Sequence, residues 1–248
     1  MTHIELPVIL VAKLYHIGTL DKEKKGIHYP NSLEANCLSV SNSPHAWQQI
    51  AKLGGYPLHR LFKEKGIFLD ANYIKKSKYM SHILDFGRKN RLIKQVKRYR
   101  AWEFDVEREE WIYSLFNTKE EAQLELGIVD LTPQEVRNLD RPKGHQLIEY
   151  ITVNIAAQKL QDLLGLQNMS DDATDALIVA YGQFTTDIDG VYWDEIYDPD
   201  NLSAPRAGIF PNRLSQWSIA QTQFDDVEDK ATIILKQKGS VHVHSANL

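Results

Sequence analysis

The stretch "VILVAKLYHIG", Val8 to Gly18, constrains the fold more than any other. It begins as a continuous apolar run and passes into alternation before Gly18 breaks it, the pattern of a core strand. A strand that reads as buried calls for sheet partners, and it makes the imidazole of His16 conspicuous.

The rest of the chain supplies both strands and helices. After the polar loop "KEKKGIHYPN" from Lys22, "CLSVS" from Cys37 reads as a short strand. "SPHAWQQIAKLGG" starts a helix with Ser43 as N-cap and Pro44 at its first position, and the Gly54–Gly55 pair ends it. Ala46, Ile50 and Leu53 form its apolar face. "GIFLDANYI", Gly66 to Ile74, reads as a strand and turn leading into a basic stretch with helical character. "RAWEFDV" and "EWIYSLF" flank "EREE" as the aromatic arms of a hairpin. "NTKEEAQLEL" is a helix capped by Thr118, and "LTPQEVRNL" holds a capping box between Thr132 and Glu135. "QLIEYITV" suits a central strand, and "NIAAQKLQDLLGL" is an amphipathic helix ending near Gly165. "MSDDATDALIVAYGQF" is a helix starting at Ser170, with acidic residues in its first turn. "DGVYWDE" and "AGIFP" read as the last core strands, with "LSQWSI" after them. The tail, residues 238–248, reads as a frayed strand or a disordered end. The expectation is one α+β domain over residues 1–248, with a basic insertion at about 75–100.

At 248 residues the chain is long enough to bury a core without disulfides, and its 43% apolar and 25% charged content is ordinary for a globular protein. One cysteine, Cys37, excludes an intramolecular disulfide and suits a reducing compartment. No run reaches the length of a membrane span, and "LPVILVA" is too short and lacks the basic flank of a secretory signal. A soluble cytoplasmic protein is expected. The net charge of −4 is unevenly spread: Lys75 to Arg100 holds ten cations against Asp85 alone. That stretch is either a polyanion-facing surface or a solvated charged helix. Arg88, Arg91, Lys94, Lys97 and Arg98 are its candidate nucleic-acid contacts, with Tyr79, Tyr99 and Trp102 available for stacking.

Common catalytic motifs are missing: the sequence has no G-x-x-x-x-G-K-[ST], no G-x-S-x-G and no H-E-x-x-H. His242 and His244 form an H-x-H pair near the chain end with no cysteine or carboxylate close by, which is weak support for zinc. No metal is expected. Taken alone, His16 reads as a core histidine with a satisfied ring.

Its context gives a second reading. "YHIGT", followed by "CLSVSNSPHAW", resembles the opening of the ADP-ribosyltransferase fold of the diphtheria-toxin type. The resemblance implies a split mixed or antiparallel sheet flanked by helices, with NAD as substrate. It implies that His16 bonds the adenosine ribose and that the Gly18 backbone holds the nicotinamide carboxamide, with the Thr19 hydroxyl at the mouth of the cleft. Ser39 and Ser41 fall on the second strand of the motif. Ile17 is an insertion relative to that pattern, and Ser39 stands where the family carries an aromatic that stacks on nicotinamide. Tyr73, Tyr15 or Trp47 are the alternative stackers; otherwise the Ser39 hydroxyl acts as in the family's arginine-type branch, which uses Ser-Thr-Ser.

Far along the chain, "DIDGVYWDEIYDPDNLSAPRAGIF" runs from a strand into carboxylates and a polar turn. The same resemblance implies a late-strand acid that steadies the sugar cation when nicotinamide leaves. Asp194 and Glu195 are the candidates, with side chains that alternate in direction, and Glu195 is preferred. Asp189 is the third choice, although its "DG" suits a turn. This segment is also similar to the end of RES-domain NAD-degrading toxins. Arg206 is placed either on a pyrophosphate or on a neighbouring aspartate. The implied function is ADP-ribose transfer from NAD to a macromolecular acceptor, nucleic acid or protein, in a toxin with an antitoxin or a phage-defence component. The alternatives are an NAD glycohydrolase and a non-catalytic nucleic-acid-binding module.

Overall fold

The computed structural model describes residues 2–20, 36–105, 110–125, 148–166, 173–193, 207–227 and 235–243. The loop from Lys22, the Thr132–Glu135 capping box, the helix start at Ser170 and His244 lie outside the described residues. The chain divides into two compact units, one of Met1–Ile93 with Ala156–Leu248 and one of Lys94–Ile155. The architecture is mixed α/β with open sheets.

In the first unit, β1 (Thr2–Ile17) and β3 (Leu58–Asp70) form a long antiparallel ribbon. Its register shifts between Val11 and Lys13, a bulge of the kind that bends a strand. On the free edge of β1, β10 (Leu235–Val243) pairs with Thr2–Leu10. On the free edge of β3, β9 (Ser218–Thr222) is antiparallel at Leu58–Phe62. Farther along that edge, β7 (Gly190–Tyr192) is parallel at Phe68–Asp70. From β7 the sheet continues through β8 (Ala207–Ile209) to β2 (Leu38–Val40), each step antiparallel. Just past β2, Ser41 and Tyr15 exchange two backbone hydrogen bonds of 2.8 Å. The β7–β8–β2 arm therefore leaves the ribbon at one end and touches it again at the other. The sheet is mixed.

Between arm and ribbon lies one apolar cluster that includes Ile9, Leu14, Leu38, Val40, Phe68 and Tyr192. The other face of the sheet is covered by helices. Among them, α6 (Thr174–Thr185) has every residue from Ala176 to Gly182 buried. A helix apolar on all sides belongs in a core. It packs against α2 (Ala71–Lys75), α3 (Tyr79–Lys89), α5 (Gln158–Leu164) and β7. Helix α1 (Pro44–Ile50) has Pro44 in its first turn as expected, but Ser43 makes no side-chain cap. Instead Ser41 Oγ accepts from Ser43 N at 3.0 Å.

The second unit holds a three-stranded sheet in the order β5-β4-β6. Strands β4 (Ile93–Asp105) and β5 (Glu110–Phe116) make the expected aromatic hairpin. Helix α4 (Lys119–Glu125) begins with a reciprocal box. Thr118 Oγ1 accepts from Glu121 N, and Glu121 Oε2 accepts from Thr118 N, each at 3.1 Å.

Four expectations need correction. Strand β3 starts at Leu58, eight residues before Gly66. The "turn" after it is helical, because Asp70 accepts from Tyr73 N at 3.0 Å and caps α2. Strand β6 (Ile148–Ala156) lies at the end of its sheet and not in the centre. The tail, expected as a frayed strand or a disordered end, forms a strand as far as Val243, where β10 pairs with β1. Among the described residues no helix is long and apolar enough to cross a membrane.

Candidate functional site

His16 lies where the ribbon and the arm meet. Its Nδ1 is 2.8 Å from the carbonyl oxygen of Ser39, which can only accept, so Nδ1 carries the proton and the ring is held in that tautomer. The bond joins β1 to β2 just ahead of the Tyr15–Ser41 bridge. The residue is 5% exposed. Trp47 meets it edge-on at 6.1 Å between centroids, and His59 lies nearly parallel to it at 6.2 Å. In the ladder His16 and His59 are direct partners on β1 and β3.

Gly18 borders the other ring nitrogen. Its φ of +147° is a conformation L side chains rarely adopt, and a Cβ there would stand 2.9 Å from His16 Nε2. Its N–H donates to Pro57 O at 2.9 Å. His59 shares this corner: its ring bonds the Gly18 backbone, yet burial outweighs that bond and lowers its pKa below the usual histidine value. Sequence reasoning missed His59, because it stands among the charged residues of "LHRLFKEK", outside any recognised strand.

The remaining nucleotide candidates are less uniform. Thr19 is exposed, Ser39 half-buried, and Ser41 fully buried with its hydroxyl engaged by Ser43. Of the alternative stacking residues, Tyr73 is exposed, while Tyr15 is core and Trp47 is buried against the His16 ring.

Asp194, Glu195 and Arg206 lie outside the described residues; β7 precedes the two acids in the chain. Val191 pairs with Gly208 and Gly208 with Ser39, so the three form one row across the arm. Two antiparallel steps make β7 and β2 run in the same direction, about 10 Å apart by ordinary strand spacing. Trp193, the residue before Asp194, is buried. Its Nε1 donates to Asp175 at 2.9 Å, and Asp175 is paired with Lys75 at 2.8 Å. The end of β7 is therefore anchored to α6 and α2.

Asp189 is a structural group. Its carboxylate, 2% exposed, takes the Lys63 ammonium, the Ile67 N–H at 2.8 Å and the Trp217 indole N–H at 3.3 Å. Its backbone bonds Ile67 and Phe210. It fastens β3, β7 and the segment after β8, and does not make the turn its "DG" suggests.

The basic stretch is more neutralised in space than in sequence. Beyond Arg88 with Asp85, Lys75 pairs with Asp175 and Arg100 with Glu149. Arg88 and Arg91 belong to the first unit; Lys94, Lys97 and Arg98 lie on β4 in the second. Alternation puts Lys94 and Arg98 on one side of β4 and Lys97 on the other. Trp102 is buried with its N–H on Glu149, and Tyr79 packs against the helical core. Cys37 is buried. Among the described residues no group of histidine, cysteine and carboxylates is arranged to hold a metal.

No protein-family model matches the chain, and no curated protein or solved structure matches it.

Proposed function

We propose that this chain is an NAD-dependent ADP-ribosyltransferase, taking ADP-ribose from NAD to a macromolecular acceptor. The observation that carries the reading is the His16–Ser39 hydrogen bond, which ties the histidine strand to the arm whose far strand runs on to Asp194 and Glu195. With Nδ1 holding the proton, Nε2 is the ring's acceptor lone pair, suited to a ribose hydroxyl that donates. Gly18 lies against that nitrogen, and a Cβ there would stand 2.9 Å from it.

In the reaction the C–N glycosidic bond breaks, and nicotinamide departs with the bonding pair as a neutral molecule. The ribose is left as an oxocarbenium-like cation, for which a carboxylate is the natural stabiliser. Glu195 is assigned that role, with Asp194 as the alternative. The acceptor nucleophile adds to the same carbon and gives up its proton; water in its place would make the enzyme a glycohydrolase. Arg206 is assigned to the pyrophosphate.

The test is release of free nicotinamide from NAD by the full chain, with RNA, DNA, protein or no acceptor. Release is expected, with losses of about a hundredfold or more in Glu195→Ala or Asp194→Ala and a clear loss in His16→Asn. Circular dichroism guards against misfolding of the buried His16 variant. No release with any acceptor, or release indifferent to all three substitutions in folded protein, overturns the reading.

A further inference from the structure

We infer that one face of the three-stranded sheet in the second unit is a stacking platform for single-stranded nucleic acid. This inference does not rest on the NAD reading.

The two faces of that sheet differ in character. Alternation along β4 puts Arg100 and Trp102 on one face, where both bond Glu149 of β6 and where Tyr113 packs edge-on against Trp102. On that face Glu149 satisfies Arg100 and the Trp102 indole, and the Arg100 guanidinium lies over the Trp102 and Tyr113 rings. The opposite face carries Lys97, Tyr99 and Tyr150. The two tyrosine rings lie 4.7 Å apart, tilted by 36°, and Tyr150 is 60% exposed. The Lys97 ammonium sits 5.5 Å from the Tyr150 ring centre and is exposed. Ser114 and Thr152, on the same face, are exposed too.

A protein that placed these rings only for packing would turn them inward, as it does Trp102. Here the aromatic surface is presented to water with a cation beside it, the pairing that takes a base on the ring and its phosphate on the ammonium. Charge sets the direction. The acids that alternation brings to this face of β4 are confined to its far end, Glu103 and Asp105, the nearer of them six residues beyond Lys97, or about 20 Å of strand. The phosphate track is therefore on the Lys97 side. Duplexes are poor ligands, because their bases are already stacked on one another. Of the rings the sequence nominated, Tyr99 lies on this face, Trp102 is buried and Tyr79 packs against the helical core; Tyr150 was not singled out.

The experiment is equilibrium binding of fluorescent single strands of about 12 nucleotides, as RNA and as DNA, to the full chain at low salt, with a duplex as control. Single strands bind and the duplex binds more weakly. Tyr150→Ala weakens binding about tenfold or more, Tyr150→Phe retains it, and Lys97→Glu weakens it and flattens its salt dependence. RNA and DNA arms rank the two sugars. Far-UV circular dichroism shows that each variant is folded. Absence of single-strand binding, or affinity unchanged in folded Tyr150→Ala, overturns the inference. So does a self-association that Tyr150→Ala abolishes and no oligonucleotide competes with, since the face would then be a contact between copies of the chain.

Discussion

Lys63 and Asp189 meet in an ion pair at 2.5 Å, although one lies in mid-strand on β3 and the other just before β7. The lysine side chain keeps 24% exposure while the carboxylate has 2%. Trp217 and the Ile67 N–H complete the carboxylate's bonds. Removing the carboxylate takes the acceptor from two buried donors, the Ile67 N–H and the Trp217 indole, and leaves the Lys63 ammonium only Gln216 Oε1 at 2.9 Å. Asp189→Ala is expected to cost about 3–5 kcal/mol, the range for breaking a buried pair from one side. Urea unfolding measures it, and a loss below about 1 kcal/mol would class the pair with surface ion pairs.

Gly190 tests the arm. A Cβ at this position would lie 2.0 Å from the backbone oxygen of Gly208 and 2.8 Å from the Phe68 ring. Backbone in a strand pair cannot step aside as a flexible side chain does. Gly190→Ala is expected to lose about 3 kcal/mol or more, at the upper end of overpacking. Thermal unfolding that is unchanged in this variant would mean β7 and β8 do not pair as described.

How much of this was legible beforehand depended on which side of each strand faces water. β1 could be seen as a strand because apolar residues crowd both of its faces. The first half of β3 could not, since Arg60, Glu64 and Lys65 point to solvent and break the apolar pattern. His59 vanished with that half-strand. Asp189 read as a turn residue because its neighbour is glycine; its role as a fastener depends on Lys63 and Trp217, each at least 28 residues away in sequence. The Tyr15–Ser41 closure rests on two backbone bonds and left no side-chain signal at all. Local chemistry showed most of the elements, and partners distant in sequence decided what several of the polar residues do.

The histidine corner predicts a pH dependence with a definite sign. Burial depresses the His59 pKa below its reference value of 6.5, and the bond to Gly18 only partly opposes that. As pH falls through 6.5 the unfolded chain takes up a proton at this residue while the folded one does not. Stability from this group is therefore whole above pH 6.5 and is lost as pH drops toward the depressed folded value. The neighbouring ring facing it is His16, held by Ser39. Urea midpoints measured from pH 7.5 down to about 5 should fall less steeply in His59→Gln than in the parent chain. Parallel curves would remove His59 as the source.

Glu149 separates stability from binding in the second unit. Its Oε2 takes Arg100 Nε and NH2 at 2.9 and 2.5 Å and the Trp102 indole at 2.9 Å. Both members of the ion pair are about 20% exposed, so solvent screening reduces what the charge contributes. Glu149→Gln keeps the shape and an acceptor but loses the charge, and a cost of about 1–2 kcal/mol is expected. Tyr150 is the next residue on the same strand and points to the opposite face. Oligonucleotide affinity in Glu149→Gln should therefore stay within about twofold of the parent, well short of the change that losing a stacking ring causes. If binding falls in step with stability in this variant, the two faces are not independent, and an effect of Tyr150→Ala would report on the sheet and not on a contact.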